Sequence, residues 1–182
     1  TPTLSQRDST LPTGSFPSGR WAEFAGNATS LTPGKLFGDS SVAIDASDRL
    51  LVVWSDTRNG NAEIYVARYD GSIWTQLAGS ARFGGISNTG SPSTEPTITL
   101  DASGNPIVAW TETTAPGATQ IYAVRFNGSA WVPLGTSNSA GGISNTGAAT
   151  SPKLVNTAAG TAVAWLDASN NGVTNVYLRR FN

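Results

Sequence analysis

Apolar residues in this chain come in short runs, broken by Gly, Asn, Asp and Pro, and the runs recur. LLVVW, PIVAW and TAVAW each end on a tryptophan: Trp54, Trp110 and Trp165. IYVARYDGSIW and IYAVRFNGSAW each carry a tyrosine-bearing run through a turn to a second tryptophan, Trp74 and Trp131. A third such run, VYLRRFN, stands at the end of the sequence. No apolar stripe with a 3.6-residue period lasts long enough for a helix, and the runs are rich in Val, Ile, Tyr, Phe and Trp. The pattern predicts an all-β chain built from four-stranded units. In the second repeat strand a is PTITL, ending at the turn Asp101–Asn105, and strand b is PIVAW. A loop of variable length follows (ETTAPGAT here, DTRNGNA in the first repeat). Strand c is IYAVRF, and the Asn127-Gly128 turn leads to strand d, AWVPL. Asn-Gly and Asp-Gly (Asp70-Gly71) between β-rich runs mark hairpins because both tolerate positive φ.

The repeat has a fixed step. Trp54 and Trp110 stand 56 positions apart, as do Asp45 and Asp101, and the connector GGISNTG occurs at Gly84–Gly90 and again at Gly141–Gly147. A period of about 50 residues suits a propeller blade or a large solenoid unit. If Asp56 faces Glu63, then Trp54 faces Tyr65. The same register puts Trp110 opposite Tyr122 and Trp165 opposite Tyr177, one aromatic pair per repeat despite unequal loops. Such pairs contribute roughly 0.2–1 kcal/mol each and are expected to pack blade against blade. Four-stranded antiparallel units joined by Gly-rich connectors fit a β-propeller.

The stretches VVWSDTRNGNAEIYVARYDG and DASGNPIVAWTE resemble the BNR/Asp-box repeat of bacterial, sialidase-like propellers, over residues 40–182. The match is to the repeat. Asp101-Ala-Ser-Gly-Asn lies near the Asp-box pattern, Asp45-Ala-Ser-Asp-Arg is degraded, and the third copy reads Asn156-Thr-Ala-Ala-Gly. The resemblance implies a propeller and leaves the activity open.

Repeats run over residues 35–82, 83–139 and 140–182, within a propeller unit spanning 19–182. The third repeat carries Tyr177, Arg179 and Phe181 but no strand d after them. A matching strand d occurs near the other end of the sequence, as Arg20, Trp21, Ala22, Glu23 and Phe24, with Phe24 aligned to Leu77 and Leu134. Three blades do not close a ring, and open sheet edges are avoided. The expectation is therefore a homo-oligomer in which Arg20–Phe24 completes the last blade of a neighbouring copy. Two chains would give six blades and three would give nine. The alternative is a fragment of a longer propeller. Residues 1–18, rich in Ser, Thr and Pro, read as a tail or strap.

Composition narrows the chemistry. The chain has 182 residues, a net charge of −1, 13% charged residues, and neither cysteine nor histidine. A basic nucleic-acid surface is excluded, and so are disulfides, thiolate sites and imidazole bases or ligands. No apolar run approaches the ~20 residues that cross a bilayer, so a soluble protein is expected, bacterial and secreted or surface-borne by its low-charge composition. No cofactor or metal is expected: the Asp-rich turn Asp56–Asn61 lacks an oxygen cage for calcium.

Repeated acids (Asp45 and Asp101; Asp56, Glu112 and Asp167) read as structural, since one active site does not need several copies. Arg58 beside Asp56 reads as an exposed hairpin tip. The expectation is accordingly a binding or display module without hydrolase activity, with carbohydrate the leading ligand class. The rivals are a purely structural repeat and a sialidase-like glycosidase. Candidate ligand residues are Trp21, Trp74 and Trp131, whose flat faces suit sugar C–H groups, with Arg68, Arg125, Arg180, Glu63 and Gln120 as hydrogen-bonding partners. Against this, a tryptophan repeated once per blade serves more often as inter-blade core. The GGISNTG connectors read as glycine-permitted crossovers.

Overall fold

The computed structural model describes residues 36–82 and 84–181. The expected tail and the expected strand Arg20–Phe24 lie outside the described residues. The described residues form eleven strands: β1 (Leu36–Ile44), β2 (Leu50–Asp56), β3 (Glu63–Tyr69), β4 (Trp74–Thr75), β5 (Ser93–Leu100), β6 (Pro106–Ala115), β7 (Ala118–Phe126), β8 (Trp131–Pro133), β9 (Ala149–Thr157), β10 (Gly160–Asn170) and β11 (Val173–Phe181). They form three antiparallel sheets in the orders β1-β2-β3-β4, β5-β6-β7-β8 and β9-β10-β11. Among the described residues no helix forms.

Turn chemistry sets the strand boundaries. Asp101 Oδ1 accepts the backbone N–H groups of Ser103 and Asn105, both at 2.9 Å. Asp45 Oδ1 does the same for Ser47 and Arg49. Asp70 and Asn127 each accept the N–H groups of the two residues just before their return strand, Ser72 and Ile73 before β4 and Ser129 and Ala130 before β8. These short polar side chains satisfy turn donors that no ladder reaches.

The expected hairpin register is present in all three sheets: Trp54 faces Tyr65, Trp110 faces Tyr122 and Trp165 faces Tyr177. Their rings stack with centroids 5.9, 6.2 and 6.0 Å apart. Strand boundaries differ from expectation most at the b–c hairpin of the second repeat. The segment read as a loop in the second repeat is mostly strand, because Thr113 pairs with Thr119 and Ala115 with Ala118. The chain reverses there at Pro116-Gly117, where Gly117 has φ of 76°. In the third sheet Asn171 and Gly172 make the reversal, both at positive φ.

Alternation along β6 divides the core. Val108 and Trp110 face the first sheet and pack with Leu51, Val53, Ile64 and Val66. Ile107 and Ala109 face the third sheet and pack with Val163 and Trp165. Trp110 and Trp165 are thus sheet-to-sheet core, each 3% exposed. A bulge repeats in strand a, at Glu95 and Ser151, both with positive φ. The Ser151 N–H donates to Glu95 Oε2 at 2.7 Å, tying the second sheet to the third.

Candidate functional site

The repeated acids anchor tryptophans. The indole N–H of Trp54 donates to Asp56 at 2.9 Å, that of Trp110 to Glu112 at 2.8 Å, and that of Trp165 to Asp167 at 3.1 Å. In each case the acid lies two residues on, so strand alternation puts it on the same face as the ring. Burial works against the Asp167 charge, but hydrogen bonds from Ser169, Thr146 and Trp165 outweigh it and hold the carboxyl down at about 2. Burial likewise opposes ionisation of Asp56, and hydrogen bonds from Arg58 and Trp54 overcome it, leaving a lowered pKa.

The connectors are docked crossovers. Ile86 and Ile143 donate their N–H groups to the Ile64 and Ile121 carbonyls at 2.7 and 2.6 Å. Ser87 and Ser144 accept the N–H groups of those same two residues. A Cβ on Gly85 or Gly142 would fall 1.9 or 2.3 Å from a backbone carbonyl oxygen, so these positions require glycine. Glu63 and Gln120 hold the connectors in place: the Ser87 and Ser144 hydroxyls donate to them, and so do the N–H groups of Thr89 and Thr146. Burial pushes the Glu63 pKa up despite these bonds.

The remaining candidate ligand residues do not converge. Trp131 is half-buried and donates its indole N–H to the Leu77 carbonyl at 2.8 Å. Arg125 is partly exposed, 4.0 Å from Asp101. Arg180 lies at the far edge of the third sheet, beside a separate cavity. The Arg68 Nε is buried without a partner. Trp21 lies outside the described residues. Among the described residues no three acidic side chains gather as a metal ion would need.

A different set of polar groups does converge. The outward face of the first sheet carries a cavity of about 250 Å³, lined by Trp54, Trp74, Arg58, Arg82, Gln76 and Thr75, among others. Arg58 belongs to the hairpin tip, as expected, but its side chain folds back and is only 26% exposed. Its guanidinium lies 4.2 Å from the Tyr65 ring centroid and 5.7 Å from that of Trp54. Its Nε donates to Asp56 at 2.8 Å. This ion pair and cation–π stack fix the guanidinium at the cavity rim. Gln76 Oε1, buried within the same lining, has no hydrogen-bond partner. Nearby, burial, then the Asp56 charge, pushes the pKa of the Tyr65 hydroxyl up to about 12. An orphaned buried group like Gln76 Oε1 costs about 1–3 kcal/mol, a cost that a polar ligand reaching Gln76 would relieve.

The sequence places Trp74 among the ligand candidates, but it reads Trp54 as packing and Arg58 as an exposed hairpin tip, and gives Gln76 and Arg82 no role. The available signal was asymmetry. Gln76 aligns with Pro133 and Arg82 with Ser139, and Arg58 sits in the loop that differs between repeats. Polar residues that break a repeat are not needed by the repeat's own packing.

No family model and no curated protein matches the chain. Solved structures do. A fucose lectin from Kordia zhangzhouensis, in complex with methyl-fucoside, superposes with a TM-score of 0.52 and 14% identity, over 79% of this chain and 93% of that one. The GH93 α-L-arabinofuranosidase of Fusarium graminearum, in complex with arabinobiose, gives 0.55 and 15%, over 82% and 46%. A family 117 glycoside hydrolase from the marine bacterium Zobellia galactanivorans gives 0.50 and 12%, over 77% and 50%. The chain spans about half the length of these two hydrolases. At such identities the likeness shows the fold, a propeller-like all-β architecture. It also corrects one expectation. Glycoside hydrolases predominate among the similar structures, so the reading of the chain as a protein without enzymatic activity is overturned as a conclusion from its repeated acids. The inference failed because repetition explains what Asp56, Glu112 and Asp167 do for the fold, and says nothing about side chains that do not repeat.

Proposed function

We propose that this chain recognises carbohydrate through the cavity on the outward face of its first sheet, and that copies of the chain close into a propeller ring in which this cavity lies at the seam with the third sheet of a neighbouring copy. One observation carries the carbohydrate reading. Two indoles, two guanidiniums and an unpartnered buried amide oxygen line one cavity of about 250 Å³. Indole faces accept sugar C–H surfaces, while guanidinium donors and the Gln76 acceptor suit hydroxyls in fixed directions. The lectin and hydrolase neighbours handle fucoside and arabinoside ligands, which makes these the first sugars to try.

The test is calorimetric titration of the intact chain with methyl-fucoside and arabinobiose after a glycan array has ranked wider candidates. The same panel, presented as fluorogenic glycosides, reads turnover directly. Arg58→Ala and Gln76→Ala should each weaken binding at least about tenfold while leaving the unfolding transition cooperative. Unchanged affinity in both variants would reject this cavity as the site. Absence of binding across the array would reject the carbohydrate reading itself.

A further inference from the structure

The outer edge of the third sheet repeats a construction that is complete in the second sheet. There, β8 pairs with β7 through Phe126↔Trp131, Arg125↔Val132 and Val124↔Pro133. Phe126 and Trp131 meet with ring centroids 5.5 Å apart. The Trp131 indole then crosses to the first sheet and donates to the Leu77 carbonyl at 2.8 Å. In the third sheet β11 has no such neighbour among the described residues. Phe181, the counterpart of Phe126, is 44% exposed. Beside it lies a cavity of about 330 Å³, lined by Leu134, Gly135, Ile143, Val163, Arg180 and Phe181, among others. Leu134 is the counterpart of Leu77. The Leu77 carbonyl accepts from both Ser80 N and Trp131; that of Leu134 accepts from Ser137 N at 3.4 Å. The cavity therefore has the place, the ring neighbour and the carbonyl acceptor of the seat that an indole fills in the preceding sheet.

We propose that this seat takes Trp21 of a second copy of the chain, with Arg20–Phe24 pairing alongside β11 as its fourth strand. The register follows from the second sheet: Trp21 faces Phe181, Ala22 faces Arg180 and Glu23 faces Arg179. The last pair matches opposite charges on the cavity side. The Trp21 indole N–H donates to the Leu134 carbonyl. Chain order selects a second copy as the source. Each complete strand d leads through a connector into strand a of the next blade, as Leu77 leads to β5 and Leu134 to β9. Phe24 leads in the same way to β1 of its own chain, so its strand belongs to the blade that precedes β1 in a ring. That blade is the third sheet of a neighbour. The exposed face of the third sheet supports the same assembly, since Val155, Leu166, Val176 and Leu178 occupy it at 52, 39, 73 and 69% exposure. This inference rests on the ring reading above and adds where, and by which residues, the ring is joined.

The chain has no cysteine, so a cross-link reports the contact directly. Residues directly opposed on antiparallel strands have Cα atoms about 4.5–5.5 Å apart, within disulfide reach. The experiment oxidises the Ala22→Cys/Arg180→Cys double variant of the full chain, with light scattering of the unmodified chain in parallel. The expected result is an assembly of whole-number chain mass and a disulfide between chains that needs both cysteines. Adding Trp21→Ala should lower the cross-linking yield about tenfold or more, as loss of a buried anchor does; an unchanged yield would overturn the role of the cavity. Assembly without the cross-link would overturn the segment while leaving the ring. A disulfide within one chain would overturn the second copy as donor, and a monomer would overturn the ring and the contact together.

Discussion

The second and third sheets carry the same alternation and differ in one respect: the second has a neighbour on its outward face, and the third has none among the described residues. Ile121 and Ala123 of β7 are 0% and 1% exposed, packed against the third sheet. Their counterparts on β11, Val176 and Leu178, are 73% and 69% exposed. On the paired strands Thr111 is buried and its counterpart Leu166 is 39% exposed. The apolar pattern is therefore written into each repeat independently of what covers it. A face that keeps Val, Leu and Leu at positions buried elsewhere is the apolar surface that the proposed ring would cover. The lesson is that in a stacked-sheet chain, burial is a property of the neighbour and pattern is a property of the repeat.

The largest effects should come from the covered side. Ile121→Ala removes a fully buried side chain between two sheets and should cost about 2–5 kcal/mol, read as a lower midpoint in urea unfolding with an unchanged slope. A loss below about 1 kcal/mol would mean that the second and third sheets are less firmly packed than the contacts imply. Glu112→Ala comes next. Its carboxylate accepts from the Trp110 indole at 2.8 Å and from Ser93 Oγ at 2.6 Å inside the core. Truncation strands both donors and should cost about 1–3 kcal/mol. Glu112→Gln keeps an acceptor and should recover much of that loss, which separates hydrogen bonding from simple packing.

The anchor of the third sheet titrates, and the sign of its contribution is fixed. Asp167 has a folded-state pKa lowered to about 2, below its value in an unfolded chain, about 3.9. Its stabilisation is fully present above the unfolded pKa and is lost as pH falls through that value towards about 2. Asp167→Asn should flatten the acid limb of a stability profile between about pH 4 and 2 relative to the parent chain. Glu63 acts against this trend, because its folded pKa is raised. Its ionisation lowers stability as pH rises through its folded value. An acid limb of the same steepness in Asp167→Asn would show that the hydrogen bonds from Ser169 and Thr146 do not favour the charged form.

Much of this architecture was legible before any coordinates. Tryptophan and tyrosine at fixed separation specify the register, because a slip of one residue turns the rings to opposite faces and a slip of two takes each tryptophan off its tyrosine. Asp101 and Asn127 announced their turns through their own side-chain chemistry. The hairpin at Asn171-Gly172 carries the same Asn-Gly signal, but in a loop whose length and composition vary between repeats, so the repeat does not fix it. The cavity on the first sheet was harder to see. Arg58 reaches it only by folding back over Tyr65, and Gln76 lines it only because β4 brings it beside Ala67 and Trp54. Those are consequences of side-chain direction across neighbouring strands, which spacing along one strand does not encode. The reading of Glu63 and Gln120 as ligand groups came from their repetition. In the fold that repetition answers to the two identical connectors they hold.

The smallest effect is the one that bears most directly on the two faces. Val176→Thr keeps the branched Cβ shape that suits a strand and exchanges one exposed methyl for a hydroxyl. In an isolated chain a surface change of this kind should move stability by no more than about 0.5 kcal/mol, against the several kcal/mol expected at Ile121. If copies close into a ring, the same substitution puts a hydroxyl into a desolvated interface, and its cost becomes visible only when assembly is populated. Thermal unfolding of parent and variant at two protein concentrations a hundredfold apart separates these cases. Equal midpoints for both proteins at high dilution, with the variant falling behind as concentration rises, would mark the third sheet as an interface between chains. A deficit that is large and independent of concentration would mean that the face is covered from within the chain itself, and the contrast between Ile121 and Val176 would lose its basis.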